Sequence, residues 1–262
     1  MTRRVAVVGH GVIGEVVSRE IAAGSVPGAT LAGVVVREVP AEPAGRVITL
    51  TEALDVADVV VECAGQPVVH EIFDVVLGRG CDLVVTSVGA LLDPRLAARL
   101  DTVGPGRLRA THGAVGGLDL LGSAARSGGL DGVQVRTTKT PRALVRDWMS
   151  SSDASRIRDA STPTSVFSGG PVEAARLFPD SLNVVAAVAT VVRSVDAVAV
   201  ELVADPAATV TTHEITAWGD IGEYQFVIRN APSKRNPRTS AVTPWSVLQT
   251  VAALTDRAPV IA

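Results

Sequence analysis

Cysteine and aromatic residues are scarce in this chain. Its 262 residues include 2 cysteines, 1 tyrosine, 3 tryptophans and 4 phenylalanines. Cys63 and Cys81 lack a CxxC spacing and a neighbouring histidine, which argues against a disulfide framework, a thiol redox centre and a metal site. We expect both thiols to pack in the core, and we expect no bound metal.

No apolar run reaches the roughly 20 residues that a membrane-spanning helix needs. The stretch 184–192, one of the longest, is interrupted by Asn183 and Arg193. The opening residues, MTRR, lead directly into a strand-like run without an apolar signal core. We therefore expect no membrane contact and a location in the cytoplasm.

Basic charge is not in excess. The chain has 24 Lys and Arg against 27 Asp and Glu, a formal net charge of -3. Such a surface cannot neutralise a nucleic-acid backbone, so we expect a small-molecule ligand and no nucleic-acid partner. Because 47% of the residues are hydrophobic, the chain can bury a full core, and its length suggests two domains.

Valine-rich apolar runs alternate with helix-like segments in the first half of the chain. Strands are predicted at 3–9, 31–36, 46–50, 59–63, 82–86 and 108–111, and helices at 12–23, 51–56, 67–77 and 94–100. Strands that are apolar on both faces and separated by helices indicate a parallel sheet covered on both sides. The sequence thus predicts an α/β protein with a Rossmann-type, doubly wound parallel sheet.

The second half has a different pattern. Strands with alternating or β-branched residues are predicted at 133–138, 197–204, 209–217 and 224–229, and helices at 118–126, 171–178 and 182–192. This pattern indicates a second, α+β domain with a mixed sheet. The helical segment 244–253 is expected to return to the first domain.

The predicted domains are therefore 1–111 with 236–262, for dinucleotide binding, and 112–235, for substrate binding, catalysis and oligomerisation. An open sheet face in the second domain favours a homodimer or homotetramer.

The segment GHGVIG, residues 9–14, fits the GxGxxG motif between a valine strand and an amphipathic helix. The first glycine allows a tight turn, the second lets a pyrophosphate approach the backbone, and the third allows close helix–strand packing. The helix N-terminus adds N–H donors and positive potential. The predicted cofactor-binding residues of this loop are Gly9, Gly11, Val12, Ile13 and Gly14. The alternative is a glycine-rich turn selected only for packing.

The choice of cofactor depends on the end of the second strand. Arg37 lies where a guanidinium could meet the 2′-phosphate of NADP, and Glu38 where a carboxylate could meet a ribose hydroxyl of NAD. The sequence supports NAD or NADP, and the alternative is that both residues are solvated loop charges. His10 is expected to face solvent, with a phosphate contact as the alternative.

Three turns rich in small and polar residues follow predicted parallel strands: ECAGQP (62–67), TSVGA (86–90) and THGAVGG (111–117). Ligands bind at the carboxyl ends of the strands in open α/β sheets. The turns therefore outline a cofactor cleft, with Ala64 as a candidate contact.

Six segments occur in the same order as in one known family: GxGxIG, ECAGQ, HGAVGGLD, SGGPVEAARLFPDSLNV, THEI and NAPSKRNPRTSAVTPWSVL. From residue 5 to about 251 the chain resembles the L-aspartate dehydrogenase family of NAD(P)-dependent oxidoreductases. The resemblance implies oxidation of L-aspartate to iminoaspartate, which hydrolyses to oxaloacetate and ammonia or enters pyridine-nucleotide biosynthesis.

The resemblance also implies individual roles. Ala114 and Asn183 match cofactor-binding positions, and His213 matches the catalytic histidine. His112 departs from the pattern, because a small residue is expected there, and this puts the shape of the nicotinamide pocket in doubt.

His213 is also a candidate on chemical grounds. Hydride transfer from an amine requires the neutral amine, and a histidine can remove or relay the proton. His10 belongs to the glycine loop and His70 to a predicted helix, which leaves His112 and His213 for the catalytic cleft. The alternative for His213 is a structural histidine in a β-rich segment.

A dicarboxylate substrate needs cations or converging donors. The candidates are Lys139, Arg142, Ser168, Gly169, Gly170, Asn236, Arg238, Thr239 and Ser240, and of these we select Lys139, Ser168, Gly169 and Thr239. Each could instead be a solvated surface residue, and the turn 236–240 is better explained as a helix cap. A non-catalytic nucleotide sensor or scaffold remains the alternative function, because fold does not fix activity.

Overall fold

The computed structural model describes residues 2–100, 102–178, 182–236 and 239–255. The described residues form two compact units, one within 2–113 and 242–255 and the other within 114–241. The strands are β1 (Arg3–Val8), β2 (Ala29–Val35), β3 (Val59–Glu62), β4 (Asp82–Val85), β5 (Leu108–Ala110), β6 (Gly132–Lys139), β7 (Thr164–Gly169), β8 (Val198–Ala204), β9 (Thr211–Gly219) and β10 (Gly222–Asn230). The helices are α1 (Val12–Ala22), α2 (Leu50–Val56), α3 (Gln66–Gly78), α4 (Pro94–Ala97), α5 (Leu118–Ser127), α6 (Pro141–Leu144), α7 (Ser151–Arg158), α8 (Pro171–Leu177), α9 (Asn183–Val192) and α10 (Thr243–Ala253), with a 3-10 helix at Val88–Leu92.

The first unit is built on a parallel sheet with the strand order β2-β1-β3-β4-β5. Alternate residues of β1 enter two clusters, because successive side chains of a strand point to opposite faces. Val5 and Val7 pack with α1 and α10, while Ala6 packs with Ala53 of α2. Helices thus cover both faces of the sheet, which confirms the predicted doubly wound α/β fold.

The predicted strand at 46–50 is wrong. Only Val47 forms a bridge, next to Val34 at the outer edge of β2. Thr49 then caps α2, because its hydroxyl accepts a hydrogen bond from the Glu52 N–H while the Glu52 carboxylate accepts one from the Thr49 N–H. This capping box starts the helix at Leu50. The helix predicted at 94–100 is also shorter, since α4 ends at Ala97.

The second unit contains a mixed sheet with the order β10-β9-β6-β8-β7. Strands β6 and β8 are parallel, and the other pairs are antiparallel. Along β6, Val133, Val135 and Thr137 are buried, whereas Gln134 and Arg136 are exposed. One face of the sheet therefore belongs to the core and the other is open.

The sequence patterns did not predict β7, α6 or α7. Strand β7 (TSVFSG) lies at the edge of the sheet, and its residues are only partly buried or exposed. Helix α7 (SSDASRIR) buries only Ala154 and Ile157. Neither segment has the apolar periodicity that identifies an element from sequence. Within the described part of the chain, no helix is long and apolar enough to cross a membrane.

Candidate functional site

Two glycines shape the loop between β1 and α1, and a third leaves it open. Gly9 has a φ of +97°, and a Cβ on it would lie 2.7 Å from the Cys63 carbonyl oxygen. A Cβ on Gly14 would collide with the Gly9 carbonyl oxygen. Gly11 is exposed, and a Cβ on it would have no atom within 4 Å. Packing thus requires glycine at positions 9 and 14, whereas the space over Gly11 is available to a ligand.

The first turn of α1 supplies backbone donors beside this space. Gly11 is the N-cap and makes no side-chain capping hydrogen bond, and Val12, Ile13 and Gly14 follow it. The N–H groups of a first helical turn lack partners within the helix and attract anions. The open space and these donors fit the pyrophosphate of a dinucleotide.

His10 is less exposed than the sequence predicts. Its side chain is partly buried, and Nδ1 is covered and has no hydrogen-bond partner in the described chain. The ring is therefore only partly open to solvent.

Arg37 and Glu38 follow the end of β2, next to the glycine loop. The Gly9 N–H donates to the Val35 carbonyl oxygen over 2.9 Å, which joins the loop to the last residue of β2. Both charged side chains are exposed, and in the described structure neither forms a hydrogen bond or ion pair. They are thus available to a ribose or its phosphate.

Glu62, the last residue of β3, carries a fully buried carboxylate. Its Oε1 accepts hydrogen bonds from the N–H groups of Ala64 and Gly65, both at 2.7 Å. Ser87 donates its hydroxyl to Oε1 and its N–H to Oε2, each over 3.0 Å. One carboxylate thus holds together the turns that follow β3 and β4. In the sequence, the only sign of this role is an acidic residue at the end of the run VVVE. The sequence does not reveal the hydrogen-bond partners of that residue.

Small polar side chains follow the neighbouring strands. Thr86 is buried after β4, with Oγ1 3.7 Å from Sγ of Cys63. Thr111 is 1% exposed after β5, and its Oγ1 has no hydrogen-bond partner among the described residues. Burial and the charge of Glu62 raise the pKa of the Cys63 thiol, which therefore stays neutral and is a poor nucleophile.

In the second unit, the end of β10 holds the turn that contains Ala114. The Asn230 side-chain amide donates to the Ala114 carbonyl oxygen over 3.0 Å. Gly117 has a φ of +77°, and a Cβ on it would collide with the Phe226 ring. Asn230 and Phe226 are both on β10, so this strand fixes the backbone of the turn. The sequence analysis did not identify Asn230.

His213 lies on β9, where it is 5% exposed. Its Nδ1 is 2.9 Å from Oγ1 of Thr137, the residue opposite it on β6. Burial lowers the pKa of His213 to about 4, and the positive charge of Lys139 contributes. The ring is therefore neutral at pH 7 and can accept a proton. Thr137, which sequence reasoning missed, orients it.

The structure separates the predicted substrate contacts into two groups. Lys139 is two residues from Thr137 on β6, and alternation along a strand puts both on the face that carries His213. Ser168 pairs with Glu201 on β8, which pairs with Arg136 on β6, so it lies on the opposite face. Gly169 ends β7, at the far edge of the sheet. The sheet brings only Lys139 near His213.

The turn near Thr239 is not a helix cap, which corrects the sequence-based interpretation. Helix α10 begins at Thr243, with Val242 as N-cap and no side-chain capping bond. The Thr239 carbonyl oxygen instead accepts a hydrogen bond from the Ser233 N–H over 2.7 Å, and Ser240 bridges to Pro232. These bonds close a loop before the helix. Arg238 lies outside the described residues.

Most of the remaining candidates are exposed: His112 after β5, Ala64 after β3, Arg142 in α6, Gly170 before α8 and Asn183 at the start of α9. Asn236 is partly buried. In the described ranges, no group of three or more His, Cys, Asp and Glu side chains could hold a metal ion.

Comparisons with known proteins identify both halves of the chain. Residues 9–103 match the family described as homoserine dehydrogenase, NAD binding domain, and residues 119–254 match the family described as aspartate dehydrogenase, C-terminal. The first match begins at the glycine loop, and the second includes His213.

Individual relatives agree with these matches. L-aspartate dehydrogenase from Serratia proteamaculans is 38% identical over 81% of each chain, and that from Ruegeria pomeroyi is 35% identical over 98% of this chain and 94% of its own. The crystal structure of aspartate dehydrogenase from Thermotoga maritima is 26% identical, covers 99% of this chain and 100% of its own, and has a TM-score of 0.79. The chain therefore belongs to the L-aspartate dehydrogenase family of NAD(P)-dependent oxidoreductases.

Proposed function

We propose that this protein oxidises L-aspartate to iminoaspartate, with NAD or NADP as the hydride acceptor. Iminoaspartate then hydrolyses to oxaloacetate and ammonia or is consumed in pyridine-nucleotide biosynthesis. The observation that carries the proposal is the buried, neutral His213, held by Thr137 in the part of the chain that matches the aspartate dehydrogenase family.

His213 acts as the proton acceptor. The α-amino group must lose a proton before its lone pair can form the C=N bond, as the α-carbon loses a hydride. NAD or NADP, when held by the residues described below, would supply the acceptor for that hydride. Nδ1 of His213 is engaged by Thr137, so Nε2 is the nitrogen that serves the substrate. The low pKa keeps the ring neutral at neutral pH, and Nε2 accepts the proton in the tautomer in which the Nδ1 N–H donates to Oγ1 of Thr137.

Lys139 binds a carboxylate of the substrate. It lies two residues from Thr137 along β6, which corresponds to about 7 Å in an extended strand. That spacing suits a dicarboxylate whose amino group faces His213. The charge of Lys139 attracts the carboxylate and also helps to keep His213 neutral.

The cofactor is bound by the glycine loop and by three further positions. Gly9, Gly11, Val12, Ile13 and Gly14 receive the pyrophosphate, and Arg37 faces the adenosine ribose. Ala64, Ala114 and Asn183 complete the set. Support comes from the open space at Gly11 and from the bonds that fix the backbone near Ala64 and Ala114.

Substitution of His213 tests the catalytic role. His213→Ala should lower kcat by roughly 10²- to 10⁴-fold, with the affinity for the cofactor little changed. Turnover is followed by nicotinamide absorbance with L-aspartate, D-aspartate, L-glutamate and L-malate, each with NAD and NADP. His112→Ala is the control.

Each outcome has a defined meaning. Loss of turnover in His112→Ala but not in His213→Ala would overturn the catalytic assignment. Faster turnover of another substrate in the panel would overturn the assignment of L-aspartate as the substrate. Tight dinucleotide binding without turnover of any substrate would favour the non-catalytic sensor or scaffold.

We also propose that the protein forms a homodimer, or a homotetramer built from such dimers, through the open sheet face of the second unit. Arg136 lies 3.4 Å from Glu201 on this face and is in register with Glu214. The two signs of charge side by side allow a second copy, related by a two-fold axis, to pair with them. Sedimentation should give at least a dimer, and Arg136→Glu should shift it towards monomer. A monomeric parent protein would refute this.

We place the enzyme in the cytoplasm. Cys63 and Cys81 are free thiols, the usual state of cysteines in that reducing compartment. Fractionation of cells that express the protein, with marker enzymes for each compartment, tests the location. Recovery with an exported marker would contradict it.

A further inference from the structure

Glu62 brings a negative charge into the interior at the carboxyl edge of the parallel sheet. The residue is 0% exposed, and its four hydrogen-bond donors come from Ala64, Gly65 and Ser87. Both oxygens accept hydrogen bonds, as an ionised carboxylate does. In the described structure no cation forms an ion pair with it, so its charge is solvated by dipoles alone.

The strand order determines which half of a dinucleotide lies over this charge. The pyrophosphate belongs at the loop after β1, and the adenosine ribose belongs at the end of β2, where Arg37 and Glu38 lie. In the order β2-β1-β3-β4, strand β3 is on the other side of β1. The nicotinamide half therefore extends towards the ends of β3 and β4, which Glu62 and Ser87 connect.

The two redox forms of the cofactor differ in charge on this half. The nicotinamide ring is a cation when oxidised and neutral when reduced. A fixed carboxylate in a region of low dielectric stabilises the cation and has little effect on the neutral ring. Exposed charges in the same unit are screened by water and contribute less.

We propose that the buried Glu62 carboxylate biases the site towards the oxidised form of NAD(P), in addition to holding the turns after β3 and β4. The proposal rests on the proposed placement of the dinucleotide. Its consequence is a bound cofactor that is a weaker oxidant than the free one. The enzyme then loads readily with the oxidised cofactor and releases the reduced product.

Binding measurements on Glu62→Gln test the inference without turnover. The dissociation constants of NAD⁺, NADH and ADP-ribose are measured by calorimetry, together with those of the NADP pair. The substitution should weaken the binding of the oxidised form, relative to that of the reduced form, by roughly tenfold. ADP-ribose, which lacks the nicotinamide, should show a much smaller change.

Two control variants separate charge from structure. Ser87→Ala removes one hydrogen bond to Glu62 but keeps the charge, so any loss of affinity should be equal for NAD⁺ and NADH. Asp58→Asn removes a carboxylate that pairs with Arg4 just before β3, at the opposite edge of the sheet, and should leave both affinities unchanged. If Glu62 had only a structural role, Glu62→Gln would weaken the binding of NAD⁺ and NADH equally, as is expected for Ser87→Ala.

The unmodified protein provides a second measurement if Glu62→Gln does not fold. In the unmodified protein, the affinity for NAD⁺ should exceed the affinity for ADP-ribose by a larger factor than the affinity for NADH does. An equal or larger gain for NADH would overturn the inference, as would an unchanged ratio in a folded Glu62→Gln variant. Failure of the unmodified protein to bind any of these ligands would instead overturn the proposed function.

Discussion

Thr137 and His213 form a hydrogen-bonded pair across β6 and β9, with Oγ1 and Nδ1 2.9 Å apart. Their next neighbours in register are apolar: Leu202 on β8 lies beside Thr137, and Ile228 on β10 lies beside His213. In the described chain, neither side chain makes another hydrogen bond. Each buried polar group therefore depends on the other for its partner.

This dependence predicts different effects for two substitutions of Thr137. Thr137→Val keeps the shape but leaves Nδ1 of His213 without a partner, so it should cost about 1–3 kcal/mol of stability and lower kcat by roughly 10- to 100-fold. Thr137→Ser keeps the hydroxyl and should stay within a few-fold of the parent. Urea unfolding and steady-state kinetics measure the two effects. Equal kcat values for the two variants would show that the hydroxyl does not orient the ring.

The buried ring also makes stability depend on pH. The pKa of His213 is about 4 in the folded protein and near 6.5 when the chain is unfolded. Between these values the unfolded chain binds a proton that the folded protein does not. The free energy of unfolding therefore carries no penalty from His213 above about pH 6.5, and it decreases as the pH falls from there towards about 4.

The expected loss is about 2 kcal/mol between pH 7 and pH 5. His213→Gln, which cannot titrate, should lack this part of the loss when unfolding is measured by urea at both pH values. His112→Gln is the control, because it removes an exposed histidine instead of the buried one. An identical pH dependence in His213→Gln and the parent would contradict the low pKa.

Local patterns predict the parts of this fold that depend on neighbouring residues. The glycine loop, α1 and the valine strands can be read from short windows, because a turn, a helix period and a buried strand are local properties. The capping box of Thr49 and Glu52 was equally local, and it explains why α2 begins where a strand was expected.

Contacts between distant residues account for what the sequence did not reveal. Glu62 meets Ser87 25 positions later, and Thr137 meets His213 76 positions later. Only the register of the strands brings such pairs together. A carboxylate or a hydroxyl at a strand end is visible in the sequence, but its partner is not.

The exposed position of Arg37 predicts an effect on cofactor choice. Arg37→Asp removes a partner for a 2′-phosphate and adds repulsion. The binding of NADP should therefore be weakened much more than the binding of NAD, by roughly tenfold or more. Arg109→Asp makes the same change of charge on β5, at the other edge of the sheet, and should have little effect. Calorimetry with both cofactors measures the change. Equal losses for NAD and NADP would show that Arg37 does not face the ribose.

The glycine loop gives a test that separates ligand binding from folding. A Cβ on Gly11 meets no protein atom within 4 Å, and the backbone there, with φ -75°, suits any residue. Gly11→Ala should therefore keep the stability of the parent but weaken cofactor binding at least tenfold, because the methyl group enters the space of the pyrophosphate. Gly14→Ala should lower the stability itself, since its Cβ collides with the Gly9 carbonyl oxygen.

Gly78→Ala is the matched control, because its Cβ also meets no atom within 4 Å and the residue lies at the far end of α3. Thermal unfolding without cofactor and calorimetry with NAD and NADP should place the three variants in three classes. Gly78→Ala should match the parent in binding and be at least as stable, because alanine favours the helix, whereas Gly11→Ala should be weakened only in binding and Gly14→Ala in both. Unchanged affinity in a folded Gly11→Ala variant would mean that the pyrophosphate does not lie over this loop, because the methyl group stands in the space that the pyrophosphate would need.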